Sequence, residues 1–298
     1  MSGHQISYFE ASARKRISGL VDADSFTEFC PPELRITSPH LALLDTPLAF
    51  DDGVIVGNAT LSGHTVMIAA QEGRFYGGSV GEVHGAKICG LLAKALSERP
   101  AAVLLLADSG GVRLHEANAG LIALSEIVRA VLQVQAAGIP VFALVGGSCG
   151  AFGGMGIVAR LCAEVVMSEQ GRLGLSGPEV IETVKGVDEF DSRDRALVWR
   201  VTGGKLRRTL GEATLLVDDL IPAFRLAAIQ LIEQYQLNPL AADDLNTLLT
   251  AQKTLVNRGA RFDRARDGKE IWQEIFSEPG RISEMTVAEF NRQAGVPA

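Results

Sequence analysis

The stretch AAVLLLADSGGVRLHEANAGLIALSEIVRAVLQVQAAGIPVFALVGGSCG, residues 101–150, decides the fold. It begins with seven apolar residues and the turn Asp108-Ser109-Gly110-Gly111, after which apolar residues recur at helical spacing as far as Val131. A second apolar run, residues 139–145, leads into another glycine loop. Short uncharged runs of this kind are typical of buried parallel strands. Because helices alternate with them, the stretch predicts an α/β fold with a parallel sheet and right-handed crossovers.

The same alternation extends to both sides of this stretch. Upstream, strand-like runs around residues 54–56 and 65–69 are joined through Ser62-Gly63, a pair that suits a tight hairpin turn, and a helix is predicted over residues 81–97. Downstream, residues 165–167 indicate a strand, and residues 193–200 and 220–237 indicate helices. The chain is therefore divided into an N-terminal arm (1–52), a main domain (53–240) and a C-terminal helical extension (241–298).

Composition and charge exclude several classes of protein. The 28 basic and 35 acidic residues give a net charge of -7, so no overall positive field attracts nucleic acid. The four cysteines lack the close pairwise spacing of a zinc site, so no metal is expected, and we interpret them as reduced, mostly buried thiols. The first 16 residues lack the apolar core of a signal peptide, which favours a cytoplasmic protein.

One uncharged stretch, residues 138–159, is long enough to cross a bilayer. Seven glycines, Pro140 and Ser148 interrupt it, however, and its apolar part is short and rich in β-branched residues. We therefore expect a buried strand followed by a loop here, and no membrane association.

The excess of glycine is concentrated at predicted junctions between strands and helices. Eighteen of the 32 glycines lie in residues 73–90, 110–111 and 138–177. Where a helix begins, backbone N–H groups lack partners and the helix dipole favours negative charge. Gly110 and Gly111 could therefore present two donors to a thioester or ester oxygen that gains charge in a reaction. The alternative is that both glycines only satisfy a tight turn.

A serine hydrolase is a further alternative, because two pentapeptides match the nucleophile elbow G-x-S-x-G, one around Ser79 and one around Ser148. All five histidines precede Ser148, which makes the usual order of serine, acid and histidine impossible. Asp108 and His115 follow Ser79 in the required order, but a polar stretch separates Ser79 from the nearest predicted strand. The pattern therefore favours chemistry in glycine-rich loops without a nucleophilic serine.

The glycine loops resemble a known family. Residues 77–88, GGSVGEVHGAKI, and 108–116, DSGGVRLHE, are similar to the first half of the acyl-CoA carboxyltransferases of the crotonase superfamily. Supporting similarities at both ends extend the resemblance over roughly residues 13–220. The resemblance implies a crotonase-like α/β fold, with repeated ββα units, a parallel sheet and flanking helices.

Within that family, residues 109–116 and the loop 146–156 are most similar to the beta subunits of biotin-independent malonate decarboxylases. This resemblance implies decarboxylation of a malonyl thioester through an enolate, with a homologous gamma subunit and an acyl carrier protein as partners. It implies no covalently bound cofactor in this chain, since the CoA-like prosthetic group is carried by the acyl carrier protein.

The close alternative is the beta subunit of a biotin-dependent acyl-CoA carboxyltransferase. The chain lacks the zinc-ribbon cysteines of the bacterial acetyl-CoA carboxylase beta subunit and is about half of a fused carboxyltransferase, which implies a partner half. It also has no biotinyl-lysine motif of the Ala-Met-Lys-Met kind. Any biotin would therefore have to be carried by another protein.

By the same resemblance, the catalytic oxyanion site is formed by Gly110 and Gly111. Two loops would line the substrate cleft, with the candidate binding residues Gly77, Gly78, Ser79, Gly146, Gly147, Ser148 and Gly150. Arg113 is a further candidate, which either positions a substrate carboxylate or pairs with Glu116 at the start of a helix. The proton donor to the enolate stays open between His84, His115 and a group or water from the partner.

Overall fold

The computed structural model describes residues 6–45, 50, 53–241 and 244–294. A seven-stranded sheet lies at its centre, and the strands are neighbours in chain order. They are β1 (Thr27–Phe29), β2 (Val54–Leu61), β3 (His64–Gln71), β4 (Ala102–Ala107), β5 (Val141–Val145), β6 (Glu164–Ser168) and β7 (Leu215–Val217). The predicted parallel arrangement is confirmed from β3 to β7, whereas β1, β2 and β3 pair antiparallel.

Helices cover both faces of the sheet. They are α1 (Ala13–Leu20), α2 (His40–Leu43), α3 (Glu82–Glu98), α4 (Ala119–Ala136), α5 (Gly154–Leu161), α6 (Pro178–Lys185), α7 (Arg195–Thr202), α8 (Gly204–Thr209), α9 (Ile221–Leu237), α10 (Leu245–Phe262), α11 (Gly268–Ile275) and α12 (Val287–Gln293). Alternate residues of each strand point to opposite faces. In β4, Val103 and Leu105 therefore join the core with α3 and α4, while Leu104 and Leu106 join the core with α1 and α9.

The described parts of the N-terminal arm and the C-terminal extension share these cores. Leu20 of α1 packs in the core with Phe224 of α9, and β1 extends the sheet beside β2. On the other face, Trp272 and Phe290 of the extension are buried in the core that contains α3 and α4. The division into three parts stays a prediction.

Among the described helices, α4 is the one that is long and apolar enough to be a candidate for a membrane span. Ile127, Val131 and Val134 of this helix are fully buried in the core. The uncharged stretch 138–159 contains the strand β5, a loop and the start of α5, as the sequence predicts.

The four cysteines are free, but they differ in burial. Cys162 is buried, Cys89 and Cys149 are partly buried, and Cys30 is exposed at the turn that follows β1. The prediction of mostly buried thiols is therefore wrong, because β1 lies at the edge of the sheet and leaves this turn in solvent. Burial raises the pKa of the Cys162 thiol to about 12 and that of Cys89 to about 11.

Alkylation with iodoacetamide near neutral pH is expected to modify Cys30 first and Cys162 only after the protein unfolds. The thiolate is the reactive form, and Cys162 combines a raised pKa with an inaccessible sulfur. Peptide mass spectrometry over a time course gives the order, with urea-unfolded protein as the control in which all four react. Modification of Cys162 as fast as Cys30 in the folded protein would contradict the buried position.

Candidate functional site

The predicted glycine loops meet at the carboxyl ends of β3, β4 and β5. The N–H of Gly110 donates to the carbonyl oxygen of Gly77 at 2.9 Å, which joins the first two loops. The N–H of Ser109 donates to the oxygen of Gly150 at 2.6 Å, and a single parallel bridge links Ser109 with Ala151. Loops that are distant in sequence are therefore held in one small region.

Two of these glycines, exposed Gly77 and buried Gly111, leave room for a side chain. Gly77 has φ +63 and Gly111 has φ +139, and residues other than glycine rarely adopt such positive φ angles. A Cβ atom at either position would have no atom within 4 Å. A substrate could therefore approach the exposed backbone of Gly77, and the space beside Gly111 is a further candidate for the reacting group.

Four of the other candidate glycines are packed against the interior, whereas Gly110 is exposed. A Cβ at Gly78 would lie 1.8 Å from the carbonyl oxygen of Asp108, and one at Gly147 would lie 2.2 Å from the Asp108 carboxyl carbon. At Gly146 it would meet the rings of Phe224 and Tyr8, and at Gly150 it would lie 2.6 Å from a backbone oxygen. Glycine is required at these positions because the loops pack directly on their neighbours.

The available backbone donors differ in part from those predicted. The N–H of Gly110 is already bonded to Gly77, whereas the N–H of Gly111 makes only a long contact of 3.3 Å to the Ser109 hydroxyl. A Cβ at Gly153, which precedes α5, would lie 3.3 Å from the Cα of Gly111. Among the described residues, no acceptor bonds the N–H groups of Gly154 and Met155 in the first turn of α5. Free donors of α5 therefore begin beside Gly111.

Gly153 and Gly154 are absent from the residues that the sequence predicts for the site. The signal for them is a pair of glycines at the start of a predicted helix, after a strand and a loop, which is the pattern used to select Gly110 and Gly111. The loop 146–152 places this pair seven residues beyond Gly146-Gly147, the glycines that directly follow the strand. Because this loop is long, the glycine pair does not directly follow the strand and is not selected by that pattern.

Arg113 joins two loops from a buried position. Its guanidinium donates to Glu116 Oε1 at 2.9 Å and to the carbonyl oxygen of Ser79 at 3.1 Å, and it lies 5.3 Å from the centre of the Tyr76 ring. The other oxygen of Glu116 accepts the N–H of Glu82 at 2.6 Å. The structure thus contains the ion pair with Glu116, while a contact of Arg113 with a substrate carboxylate stays a prediction.

Asp108 lies at the end of β4 and is buried with Arg16 in an ion pair whose side chains are 3% and 2% exposed. Burial alone would lower the pKa of Arg16, but the neighbouring Tyr8 and Asp108 raise it, so the guanidinium stays charged. The Asp108 N–H donates to the side-chain oxygen of Gln71, whose amide contacts buried His84 at 3.0 Å. His84 is therefore part of the buried polar network behind the loops.

The described residues contain no serine–histidine–acid triad at either candidate serine. The Ser79 hydroxyl donates to the carbonyl oxygen of Tyr76 at 2.7 Å, and Asp108 is paired with Arg16. His115 is exposed, with its ring 4.9 Å from that of Tyr76. The carbonyl oxygen of Ser148 accepts a hydrogen bond from the guanidinium of Arg172. These contacts disfavour the serine hydrolase alternative.

No cluster of three or more His, Cys, Asp and Glu side chains in the described part of the chain could hold a metal ion. The groups that the loops do bring together are backbone donors and the buried polar side chains beside them. Their arrangement suits a reaction that places negative charge on a carbonyl oxygen.

Comparison with known proteins gives matches over most of the chain. Residues 10–198 match the family described as carboxyl transferase domain. The chain is 38% identical over 311 residues to a malonyl-S-ACP:biotin-protein carboxyltransferase of Malonomonas rubra, with 97% of this chain and 95% of that protein covered. It is 36% identical over 178 residues to a putative propionyl-CoA carboxylase beta chain of Bacillus subtilis, which covers 59% of this chain but only 33% of that relative.

A solved structure matches as well. The crystal structure of a Pseudomonas malonate decarboxylase hetero-tetramer in complex with malonate contains a chain that is 38% identical, with a TM-score of 0.78. The match covers 88% of this chain and 94% of that one. The predicted crotonase-like carboxyltransferase fold is confirmed by these similarities.

Proposed function

Because the chain belongs to the carboxyl transferase domain family, we propose that it is the beta subunit of a malonate decarboxylase. In this role it converts malonyl-S-acyl carrier protein to acetyl-S-acyl carrier protein. The observation that carries the proposal is the position of buried Gly111, where no atom lies within 4 Å of a Cβ and which is adjacent to N–H groups at the start of α5 that no described residue bonds.

The chemistry requires stabilisation of negative charge. The bond between the carboxylate carbon and the α-carbon breaks, CO2 leaves, and the electron pair forms an enolate whose oxygen derives from the thioester carbonyl. A proton then adds to the α-carbon and gives the acetyl thioester. Preorganised N–H groups stabilise such an oxygen by about 3 kcal/mol each. The Gly111 N–H and the first N–H groups of α5 are the donors proposed here, and no nucleophilic serine is needed.

A partner subunit is part of the proposal. Large apolar side chains are exposed beside the glycine loops, including Leu114 at 83% and Leu175 at 70%. Exposed apolar patches of this kind mark interaction surfaces. The related solved structure is a hetero-tetramer. A homologous gamma subunit would cover this surface and complete the cleft, and an acyl carrier protein would deliver the thioester on its CoA-like arm. A cytoplasmic location belongs to the same proposal.

The test is reconstitution with the gamma subunit and malonyl-S-acyl carrier protein labelled in the free carboxylate. We expect labelled CO2 to be released and acetyl-S-acyl carrier protein to accumulate in equal amounts. The matched control omits this chain. Absence of CO2 release by a complex that has assembled would contradict the proposal.

A second candidate function uses the same substrate with another acceptor. The relative of Malonomonas rubra is described as transferring to a biotin protein, and it matches this chain over nearly its whole length. In that case the label should appear on an added biotin carrier protein, with no CO2 release in its absence. Release without any biotin protein supports the decarboxylase instead. A biotin-dependent acyl-CoA carboxyltransferase would accept carboxybiotin and an acyl-CoA in the opposite direction.

A further inference from the structure

We propose that Asp108 is a positioning residue, whose carboxylate fixes the loop 146–150 against the loop 109–111 while Arg16 of the N-terminal arm balances its charge. The inference rests on the proposed function, since its purpose is to hold the oxyanion donors in place. The buried Asp108 carboxylate is bonded to Arg16 and to the Cys149 N–H. It acts from behind the loops.

The two carboxylate oxygens have different tasks. Oδ1 accepts the backbone N–H of Cys149 at 2.7 Å, which ties the loop after β5 to the end of β4. Oδ2 accepts Arg16 Nη1 at 2.8 Å. The carboxylate has little freedom to move, because a Cβ at Gly147 would lie 2.2 Å from its carbon and one at Gly73 would lie 2.7 Å from Oδ2. Its position therefore determines the spacing of the surrounding loops.

Arg16 is fixed equally well on its other side. Nε donates to the carbonyl oxygen of Tyr8 at 2.9 Å and Nη2 donates to that of Phe9 at 3.3 Å. A buried ion pair is weak evidence for stability, because desolvation of both charges offsets their attraction. The hydrogen bonds of this pair, however, specify one geometry for three separate segments. We therefore assign the pair a role in positioning.

The loop held by Asp108 leads directly to the proposed donors. Cys149 precedes Gly153 by four residues, and the Phe152 N–H donates to the Ser109 oxygen at 2.9 Å. Loss of the bond to Cys149 should let α5 shift relative to Gly111. Because an oxyanion donor must lie within about 2.7–3.1 Å of the oxygen, such a shift should lower kcat. The KM for the carrier protein should change little, since Asp108 and Arg16 are buried and out of reach of a second protein.

The experiment compares two double variants in the assembled complex with the gamma subunit. R16M/D108N removes both charges but keeps a side-chain oxygen for the Cys149 N–H, whereas R16M/D108L removes both charges and that oxygen. We expect kcat to fall less than about fivefold in the first and about 100-fold or more in the second, with the same KM. Equal kcat values in the two variants would overturn the proposal.

Two single variants give a second test that keeps the Asp108 carboxyl group, which without Arg16 is left as an uncompensated buried charge and no longer holds its position toward the Cys149 N–H. In R16K a cation still faces the carboxylate, and in R16M none does. We expect kcat to fall more than about tenfold in R16M and to be largely restored in R16K. R225M/D22N, which removes a partly buried ion pair beside the hairpin turn between β2 and β3, is the matched control for loss of a pair. Wild-type kcat in R16M would overturn the role of Arg16.

Hydrogen–deuterium exchange separates this inference from the proposed function. Backbone exchange in the peptide that contains Cys149 should be faster in R16M/D108L than in R16M/D108N, whether or not the wild-type complex releases CO2. Faster exchange with an inactive wild type would contradict the decarboxylase proposal alone. Identical exchange in both variants would contradict the positioning role even if the wild type is active.

Discussion

Replacement of Gly111 by valine is expected to lower the rate of CO2 release by the assembled complex at least about 100-fold, while the chain still folds. Gly111 has φ +139, which a β-branched residue does not adopt without strain, so the turn must change and its N–H must move. The new side chain would also occupy the open space at Gly111, in which no atom lies within 4 Å of a Cβ. Both effects act where the thioester is proposed to bind. Initial rates at saturating malonyl-S-acyl carrier protein measure the loss.

Gly63→Val is the matched control for this substitution. Gly63 has φ +80 and also has no atom within 4 Å of a Cβ, but it lies in the hairpin turn between β2 and β3. The substitution Gly63→Val should lower the melting temperature through similar backbone strain and leave the turnover of the folded complex unchanged. Wild-type turnover in Gly111→Val would exclude Gly111 from the site. An equal loss of activity in both variants would show that instability alone is responsible.

The sequence predicts those parts of the fold whose signals are local. The apolar run at residues 101–107 contains β4, and Ser62 and Gly63, both with positive φ angles, form the predicted hairpin turn. The glycine loops follow the strands as expected. The helical spacing of apolar residues after Gly111 begins at Leu114, but α4 begins only at Ala119. Leu114–Glu116 form a separate 3₁₀ turn, which the Arg113–Glu116 ion pair stabilises.

The remaining features depend on contacts between distant residues. The strands β1 and β7 have three residues each and exist because the neighbouring strands offer hydrogen-bonding edges. Arg16 and Asp108 are 92 residues apart, so no local pattern pairs them. The bond from Gly110 to Gly77 likewise appears only when the loops are folded, and it moves the available donors from Gly110 to Gly111 and α5. Sequence therefore identifies the loops of the site more readily than its individual donors.

Gly78→Ala is expected to destabilise the fold far more than Gly77→Ala, although the residues are adjacent and have nearly equal φ angles of +66 and +63. Both substitutions incur the strain of a left-handed alanine, about 1–2 kcal/mol. Only at Gly78 would the new Cβ also lie 1.8 Å from the carbonyl oxygen of Asp108, a backbone atom at the end of a buried strand. The free energies of unfolding in urea, followed by circular dichroism, measure the difference between the two variants.

The difference between these two variants isolates one contact, since the conformational strain is common to both. If Gly78→Ala proves as stable as Gly77→Ala, the loop 77–79 cannot pack on the end of β4 as described. The bond from Gly110 to Gly77 would then lose its structural basis, and the Gly110 N–H would again be available as an oxyanion donor. A much larger loss at Gly78 instead fixes the loop in contact with Asp108. In that case the Gly110 N–H is bonded to the carbonyl oxygen of Gly77, and the N–H groups of Gly111 and of the start of α5 are the proposed donors.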